Sequence, residues 1–227
     1  MKKILLTTAA LMLTAAAAQA APVRIATEGA YAPFNFVNDN GELAGFDIEV
    51  GNEVCKRAEL DCVWVKNDWD SIIPNLVSGN YDAIMAGMSV TPERKQAIAF
   101  SEAYFPPEPS AYVALSEDAD LNGVVTAQSG TTQADHIAQS DATLIEFATI
   151  DETIAAVRNG EADALFGDKA PLRPVVPRVR HPLAIARLIA VVGHDVIASN
   201  IMVLRTVLSG QRHPPASGFV VIPLDMR

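Results

Sequence analysis

The stretch Ala86-Gly87-Met88-Ser89-Val90-Thr91-Pro92-Glu93-Arg94 decides how the rest of the chain is read. It follows the run Asp82-Ala83-Ile84-Met85, which predicts a buried strand, and leads into a helix with Thr91 as N-cap, Pro92 at the first helical position and Arg94 in the first turn. Pro92 has no N–H to leave unsatisfied, and Gly87 lets another group approach the backbone closely. Amides, two hydroxyls and one guanidinium thus gather around one point. A carboxylate suits that set, because a guanidinium binds it through two parallel bonds and a helix start adds partial positive charge. A strand, a capped turn and a surface arginine would look the same locally, so the neighbouring segments must decide.

Upstream, Val23-Arg24-Ile25-Ala26-Thr27 alternates as a first strand, and Glu28 to Phe34 forms a loop leaving its carboxyl end. Asn38-Asp39-Asn40-Gly41 is a turn. Asp47 is placed to cap a helix running to about Ala58, Cys62-Val63-Trp64-Val65 is a second strand, and Trp69 to Gly79 is a second helix stopped by its glycine. Strand, helix, strand, helix, strand is the rhythm of a parallel sheet with helical crossovers. Downstream, Ile98-Ala99-Phe100-Ser101 and Ala111 to Leu115 read as strands separated by the cluster Pro106-Pro107-Glu108-Pro109, a natural domain boundary. The rhythm then restarts with strands at Val124–Ala127, Leu144–Phe147 and Asp163–Phe166. Helices lie between them, one entered through Ser129-Gly130-Thr131-Thr132-Gln133 and one capped by Thr149 or Asp151. The last strand delivers Asp168. Two α/β lobes with loops at the carboxyl ends of their strands leave a crevice between them.

Lys2-Lys3, the apolar run Ile4 to Ala18 and the small-x-small site Ala18-Gln19-Ala20 have the layout of a secretory signal peptide cleaved after Ala20. In an exported chain Cys55 and Cys62 predict a disulfide tying a helix end to the next strand, with two free thiols as the alternative. Two ligands without a nearby histidine do not make a metal site, and no cofactor motif is present. The formal charge of -10 conceals a division. Residues 21 to 170 carry 25 Asp and Glu against 8 Lys and Arg, whereas residues 171 to 227 carry 2 acids against 7 Arg. The acidic body argues against nucleic acid and anionic membrane as partners.

With these pieces in order the chain resembles the periplasmic solute-binding proteins of polar amino acid ABC importers, in particular the histidine and lysine-arginine-ornithine binders. The resemblance covers residues 1 to about 170. It rests on Tyr31-Ala32-Pro33-Phe34, Gly45 to Glu49, Cys55 with Cys62, Trp69 to Pro74, Tyr81 to Ile84, Met88 to Arg94, Ile98 to Ser101 and Ser129 to Gln133 in family order and spacing. It implies a type II two-lobed α/β clamshell closing on one free amino acid, with a first lobe at 21–108 and a partial second lobe at 109–170 whose completion and return to the first lobe are expected to be missing, no catalysis and no cofactor. The implied partner is an inner-membrane ABC permease and the implied state a periplasmic monomer. By the same resemblance Arg94 would grip the α-carboxylate, helped by the amides of Ser89 and Thr132. Asp168 would take the α-ammonium together with the Ser89 hydroxyl and the Gly87 carbonyl. Tyr31 and Trp69 would sandwich the side chain and Glu28 would meet its distal cation, so the expected ligand is basic: arginine, lysine, ornithine, histidine or an opine. Ala86 departs from the pattern where a serine often stands, and Glu28 is one methylene longer than the usual Asp.

The end departs further. After about Pro171 nothing resembles the family's return to the first lobe. The 171–227 segment has no Lys or Glu, half of the chain's prolines and three of its four histidines. An out-of-frame translation and a diverged tail are the two readings of it, and the first would make a non-functional truncated product. The rival function is a periplasmic cyclohexadienyl or arogenate dehydratase on the same scaffold, in which a cleft acid catalyses loss of water. A receptor's sensor domain is a third reading, and it lacks a credible membrane segment, since the run Leu183 to Leu204 is interrupted by charge.

Overall fold

The computed structural model describes residues 21–116, 118–172, 187–189 and 197–204. The expected signal peptide lies outside these residues, as does most of the 171–227 segment.

Strand β1 (Val23–Thr27) is followed by a small antiparallel sheet of β2 (Ala30–Tyr31), β3 (Asn35–Val37) and β4 (Leu43–Ala44). The Asn38–Gly41 turn joins the last two strands of that sheet. Helix α1 (Phe46–Arg57), β5 (Cys62–Lys66), α2 (Trp69–Ser78), β6 (Ala83–Met85) and the single turn α3 (Arg94–Ala97) complete the first lobe. The long β7 (Ala99–Ala114) crosses to the second lobe. There β8 (Val124–Gln128), α4 (Thr132–Ala138), β9 (Thr143–Phe147), α5 (Ile150–Arg158), β10 (Ala164–Asp168) and α6 (Lys169–Leu172) follow. Two further strands are β11 (Arg187–Ile189) and β12 (Ile197–Leu204).

The sheet order is β5-β1-β6-β12-β7-β10-β8-β9. Within it β1 runs parallel to β5 and β6, and β8 runs parallel to β9 and β10. The alternating strand and helix pattern thus produced two parallel sheets, and the antiparallel β7 belongs to both. Each lobe buries its own apolar layer. Ile72, Leu76, Ile84, Met88 and Ile98 fill the first, and Val113, Ile154, Val157 and Leu165 the second. The disulfide Cys55–Cys62 closes a short loop between α1 and β5. Arg24 on β1 grips Asp82 before β6 through Nη2 at 2.9 Å and Nε at 3.1 Å, which locks the order of the first lobe's strands.

The structure departs from the sequence reading at four points. The proline cluster 106–109 does not interrupt the backbone: β7 passes through it as one strand, because the φ that proline imposes is compatible with extended chain. The boundary expected there is instead a strand shared by both halves. Asp47 does not cap α1, whose N-cap is Gly45 at φ 116. Its carboxylate is fully buried and accepts from Asn35 Nδ2 at 2.9 Å and Tyr104 OH at 2.7 Å. Thr91 does accept the Arg94 amide at 3.1 Å, yet regular helix begins only at Arg94 and lasts four residues. Finally, Ile197–Leu204 pairs antiparallel with β6 and β7, so a strand from the end in which no return to the first lobe was expected joins the first lobe's sheet. Among the described residues no helix is long and apolar enough to cross a membrane, and the described parts of the Leu183–Leu204 run are strands.

Candidate functional site

The carboxyl ends of β1, β6, β8 and β10 converge on one cleft. It holds about 330 Å3 of space not filled by protein atoms, part of it open to solvent. The lining is Glu28 after β1, Tyr31 on β2, Trp69 at the start of α2, Ala86, Gly87 and Ser89 after β6, and Arg94 at the start of α3. From the other lobe come Gln128 at the end of β8, Thr131, Thr132 and Gln133 at the start of α4, and Asp168 at the end of β10. All eight ligand-site candidates drawn from the sequence are therefore brought to one place, and Arg94 and Asp168 face it from opposite lobes.

Arg94 is fixed by the backbone on both sides: Nη1 donates to Ser89 O and Nη2 to Gly130 O, each at 2.9 Å. Its guanidinium lies 5.5 Å from the Trp69 ring centroid, within cation–π range. Burial lowers its pKa, partly opposed by Asp135, Glu93 and Asp168. A four-residue α3 contributes little dipole, so the positive charge at this end of the cleft comes from the side chain rather than from the helix start.

Asp168 is held in turn. Its Oδ1 accepts from Gln133 Nε2 at 2.6 Å and from Ser110 Oγ at 3.3 Å, and its Oδ2 accepts from the Tyr31 hydroxyl. The Tyr31 ring stacks on Phe34 with centroids 5.8 Å apart and packs against the second lobe's apolar cluster. Burial pushes its phenol well above the ordinary range, and Asp168 adds to the effect. The Thr131 hydroxyl accepts from Ala134 N at 3.1 Å and caps α4, which leaves Thr132 in the first turn facing the cleft.

Glu28 is 3% exposed and bonded across the cleft by Gln128 Nε2 at 2.6 Å. Burial pushes its pKa up to about 7, against the Gln128 bond, with Asp68 and Asp70 adding to the rise and Lys66 opposing it. Such a carboxyl, in the lining of the cleft, is able to charge when a cation arrives. Gln128, Gln133 and Ser110 were missed as site residues from sequence. The signal for Gln133 was its place beside Thr132 in the α4 entry, and that for Gln128 its position as last residue of a strand. Ser110 lies in mid-strand on β7 and had no signal. His136, the one histidine among the described residues, stands on the exposed side of α4 with its ring 5.2 Å from Phe166. Among the described residues no group of acids, histidines or cysteines could hold a metal ion.

Two lobes joined through the shared strand β7, with an oppositely charged pair facing one cleft, define a solute-binding architecture. A family model described as bacterial extracellular solute-binding proteins, family 3, matches residues 23–165, and the chain belongs to that family. A second model, described as Na+/H+ ion antiporter subunit, matches residues 142–227. The chain is 36% identical over 172 residues to an arginine-binding periplasmic protein of Mannheimia haemolytica, covering 74% of this chain and 70% of that one. It is 45% identical over 122 residues to an octopine-binding periplasmic protein of Rhizobium meliloti, covering 53% of this chain and only 41% of that relative. A crystal structure from Silicibacter pomeroyi, of a periplasmic His/Glu/Gln/Arg/opine family-binding protein in complex with lysine, shares 57% identity at a TM-score of 0.74. The match covers 81% of this chain and 82% of that one.

Proposed function

We propose that the protein binds a free basic amino acid in the periplasm and delivers it to an ABC importer of the inner membrane. The observation that carries this reading is the facing pair Arg94 and Asp168, with Glu28 buried in the lining of the same cleft. A zwitterion presents two opposite charges a few ångströms apart, and each is costly to enclose without a partner. Arg94 would take the α-carboxylate with the Ser89 and Thr132 amides, and Asp168 the α-ammonium with the Ser89 hydroxyl and the Gly87 carbonyl. Tyr31 and Trp69 flank the side chain and Glu28 meets its cation. The relative solved with lysine and the arginine-binding relative support a basic ligand. Export through the signal peptide, cleaved after Ala20, is part of the same proposal, and the Cys55–Cys62 bridge suits an oxidising compartment.

A thermal-shift panel of the twenty amino acids with ornithine, citrulline and octopine tests it. Stabilisation by the basic compounds supports the reading, and no shift with any of them contradicts it. The dehydratase reading draws on the same Glu28, as an acid poised near neutrality. Incubation with prephenate or arogenate separates the two, because a binding protein leaves both unchanged.

For the end of the chain, the match of residues 142–227 to a second family favours joined in-frame sequence over an out-of-frame product, since a shifted frame carries no family pattern. Re-reading the coding DNA tests this: a family-like continuation in another frame would restore the frameshift.

A further inference from the structure

Asp70 and Ser129 do not line the cleft, yet they meet across its rim: Ser129 Oγ donates to Asp70 Oδ1 at 2.7 Å. Asp70 is the second residue of α2 in the first lobe, and Ser129 follows β8 in the second. The contact does not stand alone. The carbonyl of Gly130, the next residue, accepts Trp69 Nε1 at 3.2 Å and Arg94 Nη2 at 2.9 Å, both from the first lobe. One two-residue turn of the second lobe thus makes three hydrogen bonds with the first, donating one and accepting two, and only the Ser129 one is made entirely by groups outside the cleft lining. Gly130 adopts φ +67, and a Cβ there would lie 3.7 Å from Trp69 Nε1 and 3.8 Å from Asp70 Oδ1, so the turn sits flush against α2.

We infer that the Asp70–Ser129 pair is a rim latch that sets the balance between open and closed lobes, and so scales affinity for every ligand without choosing among them. This rests on the binding function proposed above. A bond made only when the lobes are together, and not to the ligand, adds the same free energy to each closed complex. The apparent affinity for any ligand then scales with the fraction of closed-competent protein, while the ratio between ligands stays with Glu28, Tyr31 and Trp69.

The test is S129A, which deletes the donor and leaves all charges in place. D70N is the less clean variant, because Asp70 also acts on Glu28 through its charge. Calorimetric titration of the full exported chain with lysine, arginine and ornithine should show S129A weakening each by the same factor of about three to ten, the worth of one hydrogen bond at an exposed rim. Small-angle scattering of the ligand-free proteins should show a larger radius of gyration for S129A than for the parent. Equal affinities with unchanged scattering overturn the latch, as does a loss confined to one ligand. If the parent binds none of the three, the binding reading fails, and the scattering comparison alone decides the latch.

Discussion

Tyr31 of the first lobe donates its hydroxyl to Asp168 at the end of the last parallel strand of the second. The ring does more than offer a face to a ligand: its edge closes the distance between the lobes, and its body packs on the second lobe's core. Tyr31→Phe keeps the packing and the stack on Phe34 and removes only the donor. The expected result is about three- to tenfold weaker binding of lysine, read by calorimetry, with little change in thermal stability. Unchanged affinity would remove the hydroxyl from the account.

Glu28 predicts a pH dependence of two kinds. Its folded pKa of about 7 stands above the ordinary 4.5, so its protonated form favours the fold. That contribution is present in full below about 4.5 and is lost as pH rises through 7. In ligand-free protein Glu28→Gln should therefore match the parent in stability near pH 4.5 and exceed it above pH 7, by on the order of 3 kcal/mol in denaturant titrations. Binding of a cationic side chain runs the other way, because it needs the ionised carboxyl. Affinity for lysine should fall by up to about tenfold per unit below pH 7 in the parent and stay flat in Glu28→Gln.

The buried Asp47 predicts a stability effect away from the cleft. It joins Tyr104 on β7 to Asn35, whose Oδ1 accepts the Gly29 amide at 2.8 Å beside Glu28. Burial raises its pKa and the two hydrogen bonds oppose the rise. Asp47→Ala would leave Tyr104 and Asn35 without their acceptor in a dry interior, a loss of about 2–4 kcal/mol in urea unfolding. A loss under 1 kcal/mol would show that water replaces the carboxylate.

The parallel strands were legible in the sequence because period and punctuation agreed there, whereas the residues of the cleft came from the family resemblance. Thr149 shows this well: its hydroxyl accepts Glu152 N at 3.3 Å and the Glu152 carboxylate accepts Thr149 N at 2.9 Å, as the spacing T-x-x-E promises. Asp47 misled because a helix-start acid and a buried acid look alike until Tyr104, 57 residues away, is placed beside it. The prolines of β7 misled because they stop helices but only remove donors from strands. Gln128 carried no pattern of its own. Its role exists only through Glu28, 100 residues earlier, and single-chain periodicity does not encode such pairs.

The claim on which the rest depends is that Arg94 and Asp168 hold the two α-groups of one amino acid. Calorimetric titration with lysine, cadaverine, which lacks the carboxylate, and 6-aminohexanoate, which lacks the α-ammonium, tests it against Arg94→Ala and Asp168→Asn. The predicted result is non-additivity: Arg94→Ala weakens lysine by about a hundredfold or more and leaves cadaverine nearly unchanged, while Asp168→Asn does the same for lysine against 6-aminohexanoate. Losses of equal size for the full ligand and for its trimmed analogues would contradict it.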